Sequence, residues 1–427
     1  MPQKKSFLKK WINVISVGWF LAKRQVKGSN KSTTFLIVFI MMLTFLNLVV
    51  VSGILVGLIE GGNRANKDQY TGDVIITTIA GEPEISHTLE LRSTLEKMQG
   101  ISNVSIRYLE PVTIEANYKT RRDFSVLRDT AGTQIAGLTL EDEEALSGIS
   151  RFVVEGDFLN ENESGYILIG ANLLHRYSAD FGDFFASLEG VYPGEEVRVT
   201  VGDNTKTFIV KGILDTKVDQ VSLRAFVTKA DFLRLVDRTG LNANEIAIKI
   251  SPNTGFTPDN IKSNLIKAGF GDDGKIQTAT EAIPDFLNQI TLAFGLLGNV
   301  IGLIGIVVAS ITIFIVIFIN AVTRRKYIGI MKGIGISERA IEVSYVFQSI
   351  FYALLGGLLG LIVVYGLLVP FFYAHPLNFP FSDGILVAPV GETSFKFFLL
   401  LFVTIVAGYI PARQIVKKNT LDSILGR

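Results

Sequence analysis

The 427-residue sequence contains no cysteine and only three histidines, His87, His175 and His375, which lie far apart along the chain. The absence of cysteine excludes disulfides, thiolate metal sites and a cysteine nucleophile. Three scattered histidines are too few for a histidine-based zinc site. The sequence also lacks a G-x-x-x-x-G-K-[ST] phosphate loop, an H-E-x-x-H motif and a G-x-S-x-G motif. We therefore predict no enzyme activity, no catalytic residue, no metal site and no cofactor bound directly.

Charged side chains are missing from four long stretches. Charged residues make up 19% of the chain, against 48% hydrophobic residues, and the mean hydropathy is +0.39. A helix needs about 20 apolar residues to cross a hydrocarbon core of about 30 Å. Four stretches meet this length, and we predict transmembrane helices at residues 33–59, 292–321, 344–373 and 395–412. The fourth contains only Lys396, which we expect to extend to the lipid headgroups.

The distribution of charge predicts the orientation. Residues 1–32 carry eight Lys and Arg and no acid, and basic residues also prevail at 322–343 and 413–427. Residues 374–394 contain no base, and residues 60–291 carry 35 acids against 23 bases. Because short basic segments stay cytoplasmic, both termini and residues 322–343 are predicted inside. Residues 60–291 and 374–394 then lie outside an inner or plasma membrane.

The first apolar run is too long, and begins too late, for a cleaved signal peptide. Ahead of it, residues 7–22 space Phe7, Trp11, Ile15 and Trp19 at helical intervals between lysines. This pattern predicts an amphipathic helix on the inner membrane surface, within a cytoplasmic segment of residues 1–32.

Residues 60–291 alternate between strand-like and helix-like patterns and predict an α+β domain. Strands are predicted at 73–79, 104–115, 197–201 and 207–210, and helices at 87–98 and 229–236. A break at 128–150 suggests two lobes, and the acidic run 141–144 suggests a helix N-terminus or a solvated face. Residues 281–290 are amphipathic and are predicted to run into the second span without a break, as a stalk able to transmit motion.

The strongest motif lies between the second and third spans. Residues 323–343 are TRRKYIGIMKGIGISERAIEV, and the chain ends with GYIPARQIVKKNTLDSILGR from Gly408. These segments resemble the FtsX/MacB-like ABC transporter permease family, which includes the lipoprotein-releasing permeases. Its pattern R-x-x-E-I-G-I-L-K-A-I-G-A-S is matched at these positions: Arg324, Arg325, Ile328, Gly329, Ile330, Met331, Lys332, Ile334, Gly335 and Ser337. Tyr327 replaces the usual Glu and Gly333 the usual Ala.

The predicted outer domain supports the same resemblance more loosely. The segments EGDF from Glu155, ILIG from Ile167, PGE from Pro193 and FIVKGI from Phe208 follow the order of the MacB-like periplasmic core domain. The resemblance implies four transmembrane helices with an inserted α+β domain of that type. It also implies a separate ATPase, because no ATPase precedes the first span as in the macrolide exporters.

Two sets of residues are candidate interaction sites. The first is an ATPase-coupling helix, consisting of Tyr327, Ile328, Ile330, Met331, Lys332, Ile334 and Gly335; the alternative is a helix that rests on lipid. The second is a stripe of small residues in the second span, consisting of Gly295, Gly298, Gly302 and Gly305, which permits close helix packing. The stripe could face a second protomer or a helix of its own chain.

Two functional hypotheses follow. The first is the permease of an ABC-type export or extraction complex, a homodimer or heterodimer, in which an ATPase dimer moves the outer domain and expels a hydrophobic or amphipathic substrate. Lipoproteins, peptides and antibiotics fit that description, and a periplasmic adaptor is a possible further partner. ATP and magnesium would bind the ATPase alone, and no nucleic acid is expected as a partner. The second hypothesis is an FtsX-like signalling scaffold that regulates cell-wall hydrolases and transports nothing.

Overall fold

The computed structural model describes residues 2–119, 128–178, 187–237, 242–252, 254–379 and 381–417, with side chains from residue 11 onward except at 285, 286 and 384. The side chain of Phe7 and the predicted tail beyond Lys417 lie outside these descriptions. The chain divides into two units. We call them the helical unit (Met1–Leu58, Gln289–Leu377 and Gly384–Arg427) and the sheet unit (Ile59–Asn288 and Asn378–Asp383).

Among the described residues, four helices are long and apolar enough to cross a membrane. They are α2 (Lys31–Asn66), α9 (Asp285–Thr323), α11 (Glu338–Val363) and α13 (Val390–Val416). The prediction of four membrane-spanning helices is thus confirmed, whereas the borders assigned to the spans and loops stay predictions. Helices α2, α9 and α13 are longer than the stretches predicted from hydropathy, and α11 begins six residues before the predicted third span. The reason is that polar ends extend a helix without adding to its apolar run.

Shorter elements connect the long helices, and among them Asn378–Asp383 belong to the sheet unit. Helix α1 (Pro2–Lys27) precedes α2, and α10 (Arg325–Gly333) lies between α9 and α11. A π-helical segment (Val364–Leu368) and α12 (Val369–Ala374) follow α11, and a hairpin of β11 (Leu377–Phe379) and β12 (Ser382–Gly384) leads to α13.

Close approaches between helices hold the helical unit together. A Cβ added to Gly356 of α11 would lie 2.5 Å from Cβ of Met41 on α2, so only a hydrogen fits there. The same holds for Gly360, where an added Cβ would lie 2.4 Å from the ring of Phe45. Small residues give this closeness where lipid supplies no hydrophobic drive between helices. Met41 and Phe45 both belong to the buried core of the helical unit.

Helix α1 packs along α11 in the structure. The ring of Trp19 meets that of Phe347 edge-on at 5.3 Å, and the guanidinium of Arg339 lies over Trp11 at 5.8 Å. Trp11, Ile15 and Trp19 nevertheless stay exposed, as do Ile12 and Phe20 next to them, whereas Ala22 is buried. The helix predicted from the sequence is therefore present, and α11 covers its aromatic side chains only in part.

The sheet unit is built on ten strands. They are β1 (Val74–Thr77), β2 (Ile101–Glu115), β3 (Thr130–Leu138), β4 (Val153–Gly156), β5 (Tyr166–Gly170), β6 (Glu196–Val201), β7 (Asn204–Leu214), β8 (Arg224–Thr228), β9 (Glu245–Ile250) and β10 (Lys275–Thr278). The helices are α3 (Thr88–Lys97), α4 (Leu140–Ser147), α5 (His175–Ser178), α6 (Asp219–Ser222), α7 (Lys229–Val236) and α8 (Pro258–Lys267). Short 3₁₀ turns lie at Ile149–Phe152, Ala171–Leu173 and Phe270–Asp272. The predicted α+β class is confirmed.

The strands form a single mixed sheet in the order β10-β1-β9-β2-β3-β8-β5-β7-β4, with β6 pairing both β2 and β7. Most neighbours are antiparallel, and β3–β8 and β5–β7 are parallel. Strand β2 is the longest, and pairs β9 with its first half and β3 with its second. Large apolar side chains such as Phe208 and Phe232 fill the core.

Two expectations need correction. The suggested division at 128–150 is absent from the described part of that range, because β3 lies in mid-sheet between β2 and β8. The stalk begins later than predicted, since α9 starts at Asp285, directly after Pro284. Proline disfavours helical backbone in the residue before it, so residues 281–283 form a turn instead.

Candidate functional site

Helix α10 is a short helix between two spans, and its residues divide into two sides. It ends at Gly333, and Gly335 follows with a φ of +92°, a conformation that glycine adopts without strain. Ser337 then caps α11 by accepting a hydrogen bond from the Ala340 amide at 3.4 Å. This turn sets where α10 stops and the third span begins.

The outward side of α10 is apolar. The exposed fractions are 68% for Tyr327, 44% for Ile330 and 73% for Ile334. These residues follow one another at intervals of three and four, so they share one side of the helix and its end. Three large apolar side chains left uncovered on one short element form a patch of the kind that marks a binding surface.

The inward side of α10 holds the helix against its neighbours. Ile328 is only 1% exposed and belongs to the core of the helical unit, and Met331 packs against that core. The ammonium of Lys332 donates to the carbonyl of Val416 at 2.9 Å and pairs with Glu338 at 2.7 Å. Of the seven residues predicted for the coupling helix, Tyr327, Ile330, Ile334 and Gly335 are exposed, Ile328 is buried, and Met331 and Lys332 are partly buried.

The glycine stripe on α9 faces α2 over most of its length. A Cβ added to Gly305 would lie 3.0 Å from Oδ1 of Asn47, and one added to Gly298 would lie 3.4 Å from Leu55. Gly302 approaches Leu48 in the same way, at 3.9 Å. Gly295 meets no atom of the described chain within 4 Å. Three of the four glycines thus contact a helix of their own chain. The sequence had left open whether the stripe faces such a helix or a second protomer.

Lys396 on α13 is the only charged residue predicted within a span. Its ammonium donates to the hydroxyl of Ser52 on α2 at 2.6 Å and lies 3.7 Å from the carboxylate of Glu392. A charged group near the apolar layer is stabilised by such partners. The structure therefore gives Lys396 two protein partners, whereas the sequence suggested the lipid headgroups.

Sequence reasoning missed a cluster of buried charges in the sheet unit. The guanidinium of Arg107 on β2 donates from Nε and Nη2 to the two carboxylate oxygens of Glu143, at 2.8 and 2.7 Å. Arg224 on β8 donates in the same paired manner to Glu245 on β9, at 3.2 and 2.8 Å. Tyr70 donates from its hydroxyl to Glu245 at 2.6 Å. We call these five residues the Tyr70 clamp.

Charge in the Tyr70 clamp balances, with two guanidiniums and two carboxylates. Burial alone disfavours the ionised form of Glu245, yet the adjacent Arg224 and Arg107 outweigh it and hold the pKa below its ordinary value. Burial likewise acts to lower the pKa of Arg107, but the Glu143 carboxylate reverses this and raises it. The Glu245 carboxylate and the Arg107 guanidinium are therefore both charged at neutral pH.

Local backbone geometry explains why Tyr70 reaches this position. After α2 the chain makes a π-helical turn (Lys67–Thr71), closed by the Gly72 amide donating to the carbonyl of Lys67 at 2.9 Å. Gly72 has a φ of +64°, and an added Cβ would lie 2.5 Å from the carbonyl oxygen of Ile248. Only glycine satisfies both conditions. The signal in the sequence was the pair Thr71-Gly72 at the end of a long apolar helix.

Comparisons with known proteins identify the C-terminal part of the chain. The family model described as "FtsX-like permease C-terminal" matches residues 299–420, which include most of α9 and all of α10, α11 and α13. Residues 299–420 are thus identified as an FtsX-like permease domain. The motif at 323–343 lies inside the matched region, so the resemblance stated from the sequence is confirmed.

Two curated proteins are similar to parts of this chain. The ABC transporter permease YtrF of Bacillus subtilis is 26% identical over 210 residues, which cover 46% of each chain. The macrolide export ATP-binding/permease protein MacB of Psychrobacter arcticus is 25% identical over 174 residues, covering 38% of this chain and 24% of that one. The chain thus spans less than half the length of these relatives.

Among solved structures, the periplasmic region of MacB from Actinobacillus actinomycetemcomitans is similar to this permease with 16% identity. The superposition covers 51% of this chain and 90% of that one, with a TM-score of 0.33.

Proposed function

We propose that this chain is the permease subunit of an ABC-type export or extraction complex, and that α10 docks into a separate ATPase subunit. The observation that supports the proposal is the outward patch of Tyr327, Ile330 and Ile334. The patch lies in the loop between two predicted spans, on the side where the basic flanks place the cytoplasm. An apolar side of a short helix fits a groove on a partner.

ATP and magnesium would bind the ATPase dimer, and its closure would displace the α10 helices of two permease protomers. The sheet unit, predicted to lie outside the membrane, would then move and expel or release a hydrophobic or amphipathic substrate. Lipoproteins, peptides and antibiotics are the substrate classes that this mechanism serves. Transmission of motion suits four spans per chain better than a wide aqueous channel does.

The test is co-purification of the ATPase subunit with the full chain. We expect Ile330→Glu and Ile334→Glu each to abolish co-purification, since a carboxylate would be buried unpaired in the contact. Ile330→Met keeps the apolar surface and is the matched control, expected to retain the ATPase. Met331→Glu is a poorer choice, because Met331 packs against the core and its loss would disturb the fold.

Two results would contradict the proposal. One is an ATPase that remains bound to both glutamate variants with its hydrolysis still stimulated by the permease. The other is a location of the sheet unit on the same side as Arg324–Lys326, detected by protease accessibility in sealed vesicles. A signalling scaffold would bind the ATPase through the same patch, and would differ by releasing no substrate in proteoliposomes supplied with ATP.

A further inference from the structure

Two long helices carry the chain between the helical unit and the sheet unit. The first is α2, whose residues belong to the sheet unit from Ile59 onward, and the second is α9, whose residues belong to the helical unit from Gln289 onward. The amphipathic pattern at 281–290 suggested α9 as the element that transmits motion. The contacts within the sheet unit favour the other helix.

The end of α2 is bound to the sheet by buried and directional bonds. In the Tyr70 clamp, the hydroxyl of Tyr70 donates to Glu245, and its backbone carbonyl accepts from Nη2 of Arg107 at 2.8 Å. The guanidiniums of Arg107 and Arg224 also lie 5.0 and 5.5 Å from the Tyr70 ring centre. One residue at the helix end is therefore held through its ring, its hydroxyl and its backbone.

Backbone bonds next to Tyr70 continue the attachment to β9. The Asp73 amide donates to the carbonyl of Ile248 at 2.8 Å, and the Asp73 carboxylate accepts from the Ile250 amide at 2.7 Å. Lys67 pairs with the same carboxylate at 2.7 Å. Strands β2, β8 and β9, which lie far apart in sequence, thus all bind a stretch of seven residues.

The junction with α9 is attached by more exposed bonds. Pro284 separates α9 from the turn that follows β10. The side-chain bond that anchors this turn to a helix joins Lys262 and Glu281 at 2.7 Å, and both side chains are partly exposed. Exposed ion pairs contribute little, whereas a paired charge that is fully buried fixes one geometry and is costly to break.

We propose that the Tyr70 clamp is the positioning site through which the end of α2 moves the sheet unit, with the α9 junction acting as a compliant connection. This inference rests on the proposed function for the source of the motion. The buried pairs fix the orientation of the helix end. A purely apolar contact would allow it to slide, because apolar packing has no preferred direction.

The test measures how firmly α2 is fixed to the sheet within the full chain. The absence of cysteine allows nitroxide labels at Glu60→Cys on α2 and Asp203→Cys on the exposed β6–β7 turn without other changes. In the otherwise unaltered chain, reconstituted in nanodiscs, we expect one narrow distance distribution between the labels. We expect Tyr70→Phe and Glu245→Gln each to cause the loss of the single narrow peak.

Two controls isolate the effect. Tyr177→Phe removes a tyrosine–glutamate bond of the same 2.6 Å length, to Glu155, elsewhere in the sheet unit. Lys262→Met removes the ion pair at the α9 junction. Both controls should keep the narrow peak. A broadening by Lys262→Met equal to that by Tyr70→Phe, or a narrow peak in both clamp variants, would overturn the proposal.

A second measurement covers the case in which Glu245→Gln fails to fold. Amide hydrogen exchange in Tyr70→Phe should quicken at residues 67–73 and stay unchanged in β5 and β7, and general quickening would mean loss of stability alone and contradict the proposal. With the ATPase subunit bound, Tyr70→Phe should still hydrolyse ATP while the Asp203 label no longer responds to it. The label distances and the exchange rates are measured without the ATPase. If the proposed function is wrong, the ATPase subunit will not co-purify with the chain, and that result is separate from the test of the clamp.

Discussion

The two units satisfy their buried polar groups in different ways. In the spans, serine and threonine hydroxyls donate within their own helix, as when Thr404 donates to the carbonyl of Leu400 at 2.7 Å. In the sheet unit, polar side chains bond across long stretches of sequence, as when Tyr70 reaches Glu245. The helices are therefore joined mainly by shape, with few bonds between them such as that of Lys396 to Ser52, whereas distant bonds tie the sheet unit into one body. The units should therefore fail under different substitutions.

The largest expected effect is on the sheet unit. Arg107→Met would leave the carboxylate of Glu143 buried without its paired guanidinium, which costs about 3–5 kcal/mol. Arg92→Met is the control, because its pair with Glu96 is exposed and is worth at most about 1 kcal/mol. Hydrogen exchange of the sheet strands in the full chain measures both. Similar losses of exchange protection in the two variants would show that the buried pair stabilises the sheet unit no more than the exposed pair does.

Acid should weaken the sheet unit next. The pKa of Glu245 in the folded chain lies below the ordinary value of 4.5, so its ionised form contributes stability that is present above this value. That contribution is lost as the pH falls through the folded-state pKa. We expect unfolding of the sheet unit to become easier below about pH 4.5. In Glu245→Gln, the sheet unit should be less stable at neutral pH, and its stability should fall less steeply as the pH is lowered. A stability profile against pH that matches the unaltered chain would contradict this role of Glu245.

In the helical unit, the strongest effect should come from shape. Gly356→Ala places a methyl group 2.5 Å from Cβ of Met41 and 3.0 Å from the carbonyl oxygen of Val38, and such overpacking costs about 1–3 kcal/mol. Gly295→Ala is the matched control, since no described atom lies within 4 Å of the added carbon. It should raise the thermal midpoint slightly through helix propensity. Equal thermal midpoints for the two alanine variants would show that close packing at glycine is not the main interaction that holds the helices together.

Much of this architecture could be predicted from the sequence. Four apolar runs were enough to identify four spans, and the pattern at 229–236 matches α7 residue for residue. The motif at 323–343 was enough to predict the FtsX-like permease domain. These features are local, because hydropathy and motif spacing depend on residues close together in the chain.

Features that depend on tertiary contacts could not be predicted. The partners Arg107 and Glu245 are 138 residues apart, and no sequence pattern links them. The two sides of α10 were also unresolved, since Ile328 and Ile330 are equally apolar and only packing against neighbouring helices buries the first. For the same reason, the glycine stripe gave no choice between α2 and a second protomer. The stalk begins later than its amphipathic pattern predicts because Pro284 disfavours helical backbone in the residue before it.

The smallest expected effect compares two threonines and tests the contrast directly. Thr404→Val removes a bond to the preceding turn of its own helix, whose carbonyl keeps its backbone partner, so the change should cost at most about 0.6 kcal/mol. Thr88→Val in the sheet unit leaves the Ala243 amide, 155 residues away, without its acceptor at 3.0 Å and removes a bond to the carbonyl of Ile85 at 2.8 Å, and should cost about 1–3 kcal/mol. Both side chains are buried and both substitutions keep the shape of the side chain. The difference in lost stability therefore reports whether the bond is local or reaches a distant part of the chain. If thermal unfolding of the full chain gave Thr404→Val the larger loss, hydroxyls would be joining the spans and the proposed contrast would be wrong.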